Sequence, residues 1–130
     1  MQKIAASDVL FFLNGDDADQ LIAEQGLNVE IPNIYYYIAN EAFWGKGLKS
    51  IVIPDSVTLI DHFAFYDNQL TSAVIGESVT SIGNYAFYTN QITSVVIPNS
   101  VTSIGHYAFW RNKLKSVDIG DNVTSIGNYA

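Results

Sequence analysis

The chain of 130 residues contains no cysteine and few basic residues. The absence of cysteine excludes disulfide bonds and thiolate metal sites. Thirteen acidic residues against six lysines and arginines give a net charge of −7, which predicts that the protein binds neither nucleic acid nor an anionic membrane surface. No apolar run approaches the length needed for membrane insertion. The short run at residues 9–13 has acidic rather than basic neighbours, so it does not resemble a signal peptide.

Signatures of catalysis are also missing. The chain has no G-x-S-x-G, no H-E-x-x-H and no glycine loop of the phosphate-binding type. Its two histidines, His62 and His106, occupy the same position of a repeat, two units apart. That places them roughly 9–10 Å from each other, too far to share a metal ion. The sequence therefore predicts no enzyme activity, no cofactor and no metal site.

What the chain does contain is a segment of 22 residues repeated along most of its length. Complete copies stand at residues 48–69, 70–91 and 92–113, with a divergent copy at residues 26–47 and an incomplete one at residues 114–130. A fixed period of this size is typical of a solenoid, in which each unit buries its apolar side against its neighbours. We predict about five stacked units.

Each unit starts with the apolar pattern L-x-x-L-x-L, whose last two positions alternate as in a short strand with one buried face. A residue that ends the strand follows in every regular unit: Pro54, Gly76, Pro98 and Gly120. Further along, apolar residues are spaced by three and four, as in Val79, Ile82 and Ala86. This spacing predicts a loose helical turn in the second half of the unit.

These residues carry a resemblance to a known family. Residues 48–65 and 92–109 both follow the pattern L-x-x-L-x-L-P and then V-x-x-I-x-x-x-A-F. This pattern resembles the BspA-like leucine-rich repeats of bacterial and some protist surface proteins. The resemblance implies a leucine-rich-repeat solenoid of α/β type, with one short parallel strand and one short helical turn per unit. It also implies a secreted or surface-exposed bacterial protein, although the lack of a visible signal peptide leaves a cytoplasmic location open.

The chain departs from this family in one column. Asparagine stands at Asn68, Asn90 and Asn112, where such repeats often carry cysteine. An asparagine side chain both donates and accepts hydrogen bonds, so it can bond the backbone of successive turns. We expect the stack of units to be preserved.

Residues 1–25 do not follow the repeat and are predicted to form a helical cap. Ser7 is a suitable N-cap for a short helix over residues 8–13, which Asn14 and Gly15 would end. Asp16 or Asp17 would then cap a second helix that Gly26 closes. We expect the apolar faces of both helices to cover the first repeat.

Two surfaces of the predicted solenoid are candidates for binding a partner. On the strand side, outward positions form a serine row and a valine row: Ser50, Ser72, Ser94, Val52, Val74 and Val96. Strands line the surface that solenoids use for partners, although strand propensity by itself also explains valine there. On the other side, Tyr85, Tyr107 and Trp110 belong to aromatic columns. We expect these rings to stack between turns rather than to form a ligand site.

The incomplete last unit offers a third candidate surface. It stops before the phenylalanine of its core, which would leave apolar residues at the C-terminal end: Val117, Ile119, Val123 and Ile126. Uncapped solenoid ends leave apolar side chains and unpaired strand edges in water. We expect this end either to continue in a longer array or to mediate self-association.

The function that the resemblance implies is binding rather than catalysis: a module that recognises other proteins or a cell surface, as in adhesion. The alternative is a structural spacer or scaffold segment of a longer repeat array, which the near-identity of consecutive units favours. A more remote alternative is the targeting module of an enzyme whose catalytic part is absent here.

Overall fold

The computed structural model describes residues 11–130 and shows a solenoid of stacked parallel strands. Each repeat contributes two strands, one to each of two sheets. We call the first sheet the one built from β2 (Asn28–Glu30), β4 (Ser50–Val52), β6 (Ser72–Val74), β8 (Ser94–Ile97) and β10 (Ser116–Ile119). Its hydrogen-bonded ladder is interrupted between β6 and β8. The second sheet contains β1 (Phe11–Leu13), β3 (Tyr35–Ile38), β5 (Leu59–Ile60), β7 (Ser81–Ile82), β9 (Ser103–Ile104) and β11 (Ser125–Ile126).

The register of the sheets follows the repeat, because paired residues of consecutive regular units are 22 positions apart. Ser50 pairs with Ser72 in the first sheet, and Ser81 pairs with Ser103 in the second. Residues of one column therefore lie directly above each other, and the inward columns form one continuous core. The predicted leucine-rich-repeat solenoid is confirmed.

The phenylalanine column shows how closely the turns stack. Phe43, Phe65 and Phe87 are fully buried, and each ring lies almost parallel to the next, with centroids 5.0–5.1 Å apart. Backbone bonds join the same turns, as in the Phe65 amide donating to the Ala86 carbonyl over 2.7 Å. A turn is therefore held to its neighbour both by side chains and by the backbone.

The prediction of a helical turn in the second half of each unit is wrong. In the third unit this segment is the two-residue strand β7, followed by turns, and Tyr85 has a φ of +58°. A residue in the left-handed region cannot continue a right-handed helix. The backbone bonds instead to the next turn, as Thr102 N does to Thr80 O at 2.9 Å. Such bonds between units outweigh the local helical spacing.

Glycine is required where turns approach most closely. A Cβ on Gly105 would lie 2.5 Å from the backbone nitrogen of Asn84, in the turn before. No side chain fits at that distance, which explains the glycine at this position of the last three units, Gly83, Gly105 and Gly127.

The N-terminal region contains one helix in its described part, rather than two. Residues 11–13, predicted as helical, form strand β1 and begin the second sheet, with Leu13 fully buried. Pairing with β3 and burial of Leu13 override the local helix signal. The predicted N-cap Ser7 and residues 8–10 lie outside the described residues.

Helix α1 (Gly15–Gln25) is the predicted second helix, but its cap differs from the expectation. Asn14, rather than Asp16 or Asp17, is the N-cap. Its side chain accepts from the amide of Asp17, while the Asp17 carboxylate accepts from the amide of Asn14. Asparagine therefore starts this helix instead of ending an earlier one. Gly26 closes the helix, as predicted, with a φ of +76°.

The asparagine column forms the predicted ladder inside the stack. Asn90 is buried, and its Oδ1 accepts from the amide of Leu70 at 3.0 Å. Its Nδ2 donates to the carbonyls of Phe65 and Phe87 at 3.0 and 3.1 Å. One side chain thus bonds three backbone groups, one of which, the Phe65 carbonyl, belongs to the preceding unit.

The apolar side chains of the last unit are exposed. Val117, Ile119 and Ile126 are 43%, 46% and 57% accessible. The equivalent side chains one turn earlier are buried, and Val123 is partly buried. Within this chain the last unit packs against a neighbouring turn on one side only, which accounts for the difference.

The left-handed turn residues lead to a prediction about stability. Gly45, Asp67, Thr89 and Arg111 occupy one column and all have positive φ. Thr89 is β-branched and strained at its φ of +56°. Replacing Thr89 with glycine is expected to raise the free energy of unfolding by about 0.5–1 kcal/mol, since relief of strain exceeds the added freedom of the unfolded chain.

Urea denaturation of the Thr89→Gly variant measures this effect. Thr93→Gly is the matched control, because Thr93 lies next to β8 and is not among the residues with positive φ. That control should be destabilised, because glycine adds freedom to the unfolded chain while no positive φ is relieved. Equal destabilisation of both variants would contradict the proposed strain at Thr89.

Candidate functional site

A groove runs along the outer face of the first sheet. It has a volume of about 1440 Å³ and is open to solvent along its length. Outward residues of β4, β6, β8 and β10 form its floor. We call it the valine groove, after its central row Val52, Val74 and Val96 and the serine row beside it, Ser72, Ser94 and Ser116.

Strand geometry places these side chains in the groove. Successive residues of a strand face opposite ways, so Val95 and Ile97 enter the core while Ser94 and Val96 face outward. Val96 is 61% exposed and Val74 is 52% exposed. The valine row therefore gives the groove an exposed apolar floor. The predicted outward serine and valine rows are present, with Ser50 and Val52 half-buried.

The rim of the valine groove is acidic. Asp55, Glu77 and Asp118 are the charged residues among its lining, and no lysine or arginine of the described chain belongs to that lining. The Asp55 carboxylate accepts from the amide of Glu77 at 2.8 Å, so this rim is anchored turn to turn. Within residues 11–130 Lys46 forms an ion pair with Asp19, and His62 lies 3.9 Å from the Asp61 carboxylate; neither contact involves a rim acid.

The aromatic side of the solenoid forms stacks, as predicted. The rings of Tyr85 and Tyr107 are 4.9 Å apart and nearly parallel, and each has a further stacked neighbour on its other face. Their faces are therefore covered, which leaves ring edges and hydroxyl groups for a ligand. Trp110 differs, because its ring is 42% exposed and meets Tyr107 and Tyr129 edge-on.

The histidine column belongs to a second, smaller groove of about 340 Å³ on the second sheet. Nδ1 of His62 accepts from the amide of Asn84 at 2.8 Å, and Nδ1 of His106 accepts from the amide of Asn128 at 2.7 Å. Both imidazoles therefore support the backbone of the next turn. Among residues 11–130 no cluster of three or more histidine or acidic side chains has the geometry of a metal site.

Two tyrosines near the N-terminal end have perturbed acidities. The hydroxyl of Tyr37 donates to the carboxylate of Asp61, and this hydrogen bond, with burial, raises the pKa of Tyr37 to about 12. Burial, with the nearby charges of Asp17 and Glu24, raises the pKa of Tyr35. The bond from Tyr37 to Asp61 joins the first two units of the solenoid.

The structure brings some predicted site residues together and separates others. The serine and valine rows share one groove, whereas Tyr85, Tyr107 and Trp110 form a separate aromatic surface. Val117, Ile119, Val123 and Ile126 belong to the exposed last unit, described above. The rim acids Asp55 and Glu77 were not predicted from the sequence. Their signal was an acid directly after the proline or glycine that ends the strand, Pro54 or Gly76.

None of the helices in residues 11–130 has both the length and the apolar character required to span a bilayer. The one that the structure describes, α1, has 11 residues and two acids in its first turn.

Comparison with known families gave one match over most of the chain. The model of the BspA type leucine rich repeat region matches residues 25–130, in six copies. No curated protein matched the chain.

Proposed function

Because the chain belongs to the BspA-type leucine-rich repeat family, we propose that it is a non-catalytic module that binds other proteins through the valine groove. Leucine-rich repeats generally act in protein interaction, and solenoids use extended sheet surfaces for their partners. A role in recognition or adhesion at a bacterial cell surface is the finer part of this proposal, and it rests on the family alone.

The observation that carries the proposal is the exposed valine row at the bottom of an open groove. Val74 and Val96 are more than half exposed, although they lie in the most regular part of the chain. A groove of about 1440 Å³ is large enough for several side chains of a partner. The aromatic surface is less suited to the task, since the faces of Tyr85 and Tyr107 are covered by neighbouring rings.

Selection of short random peptides displayed on phage, with the purified protein as bait, tests this function. The affinities of selected peptides are then measured for the protein, for Val74→Lys and for Val96→Lys. We expect each valine variant to lose at least tenfold in affinity, because lysine places a charge in the apolar centre of the contact. Circular dichroism should be unchanged, since both side chains point outward.

Matched variants distinguish the surfaces. Thr80→Lys adds the same charge at an exposed position ahead of β7 in the second sheet, and it should leave affinity unchanged. Tyr85→Phe, Tyr107→Phe and Trp110→Ala probe the aromatic surface while keeping the tyrosine stacks. Loss of binding only in these three variants would move the site to the aromatic side. Failure to enrich any peptide would favour the alternative, a spacer segment of a longer array.

A further inference from the structure

The valine row of the first sheet ends in an acid on both sides. Strand register places Glu30 beside Val52, Val52 beside Val74, and Val96 beside Asp118. Along the solenoid axis the column therefore consists of an acidic residue, three valines and a second acidic residue. Both acids are exposed, and neither takes part in an ion pair within residues 11–130. An otherwise repetitive surface thus has two distinct ends.

The charge that lines the groove has one sign. Asp55 and Glu77 lie along one rim of the groove, in addition to Asp118 at its end. Lys49 and Lys115 directly precede the serines that begin β4 and β10, and like Glu30 they lie outside the lining of the groove. Within residues 11–130 these carboxylates form no ion pair, which favours a partner that carries positive charge, because complementary charge steers association and disfavours other ligands.

The spacing of the column defines the partner further. Neighbouring strands are about 4.8 Å apart, so four steps from Glu30 to Asp118 cover roughly 19 Å. An extended peptide advances about 3.3 Å per residue and presents every second side chain on one face. Residues i and i+6 of such a peptide are therefore about 20 Å apart, which matches the distance between the two acids. Residues i+2 and i+4 fall between them, over the valines.

We propose that the valine groove selects an extended peptide segment, laid along the solenoid axis, with basic residues at positions i and i+6 and apolar residues at i+2 and i+4. This inference rests on the proposed function and names the partner's chemistry. The hydroxyls of Ser72, Ser94 and Ser116 make no hydrogen bond within the described chain, and they face the groove beside the valines. They are placed to bond the peptide backbone, which would otherwise lose its water without compensation.

Fluorescence anisotropy with defined peptides tests the inference. The probe is Lys-Thr-Val-Thr-Val-Thr-Lys with blocked ends and a fluorophore, and the comparison peptides have glutamate at both ends or both lysines moved to one end. We expect the probe to bind about tenfold more tightly than the glutamate peptide, since two exposed attractive pairs become repulsive. The difference should shrink as salt is added.

Reversing a charge in the protein complements the change of charge in the peptide. Asp118→Lys should weaken binding of the lysine probe and strengthen binding of the glutamate peptide. Asp67→Lys is the control, because it makes the same change of net charge away from the groove, in the column where Arg111 already places a basic residue. The control should leave the preference for lysine ends intact.

The outcomes separate the two proposals. If selected peptides depend on Val74 but bind equally well with acidic ends, or with any spacing of lysines, the partner chemistry is wrong and the proposed function stands. Absence of probe binding at millimolar concentration also overturns the inference. If no peptide from the library depends on Val74 or Val96, the proposed function fails, and the partner chemistry fails with it.

Discussion

Replacing Phe87 with alanine is expected to lower the free energy of unfolding by about 3–5 kcal/mol, the usual range for a buried phenylalanine. The ring is fully buried between two others, Phe65 at 5.0 Å and Phe109 at 5.1 Å. Truncation leaves a cavity in the middle of the stack, and the turns on both sides cannot close it because backbone bonds hold their spacing. Urea denaturation followed by circular dichroism measures the change.

Phe109→Ala is the internal comparison for this prediction. Phe109 is 8% exposed and stacks on one phenylalanine rather than two. We expect its truncation to fall at the lower end of the same range, since part of the cavity opens to water. A loss below about 1 kcal/mol for Phe87→Ala would remove this residue from the core and contradict the register of the stack.

Replacing Asn90 with alanine is expected to destabilise the protein by about 2–4 kcal/mol, for a different reason. The side chain accepts from the Leu70 amide and donates to the carbonyls of Phe65 and Phe87. Alanine would leave the Leu70 amide buried without a partner, which costs about 1–3 kcal/mol, whereas the two carbonyls keep bonds from Asn68 and Asn112. Loss of the bonds to the carbonyls adds about 0.5–1.5 kcal/mol.

Asn112→Ala supplies the matched control for Asn90. Asn112 makes the same three kinds of bond, to Ile92, Phe87 and Phe109, but it is only partly buried. Water can replace its side chain, so we expect a loss about half as large or less. If the two variants were equally destabilised, burial of the asparagine ladder would not be what determines its contribution. Both losses are measured as shifts of the urea midpoint at constant slope.

The aromatic column shows strain and stacking in the same residues. Phe63, Tyr85, Tyr107 and Tyr129 all have positive φ, a conformation that costs roughly 1–2 kcal/mol for a residue with a side chain. Each ring stacks on the next at 4.9–5.2 Å, which contributes about 0.5–1.5 kcal/mol beyond burial. The two effects are of similar size. Stacking therefore offsets the strain only when neighbouring units carry the same kind of residue.

Repetition also bears on where a partner would bind. Units that are nearly identical offer the same surface at every turn, so a specific site requires a departure from the repeat. In the outward column of the first sheet that departure is the change from valine to acid at Glu30 and Asp118. The proposed site therefore depends on the least regular positions of a regular sheet, and a spacer segment would have no need of them.

The sequence by itself determined the parts of the structure that repeat. The period of 22 residues, the inward columns, the phenylalanine stack, the asparagine ladder and the outward serine and valine rows were all predicted from it. The physical reason is that the same residue recurs at the same position of every unit. Such a column can be buried, or exposed, in all units only if each unit lies directly on the one before.

Only the tertiary structure decided the conformation of segments whose local sequence pattern is compatible with more than one secondary structure. Residues 81 and 82 form strand β7 instead of helix, residues 11–13 form strand β1, and Asn14 starts a helix instead of ending one. In the two strands, bonds to a neighbouring turn outweigh the local preference, as when Thr80 N bonds Thr58 O at 2.8 Å. The acidic rim at Asp55 and Glu77 emerges in the same way, because residues from different units meet only when the turns are stacked.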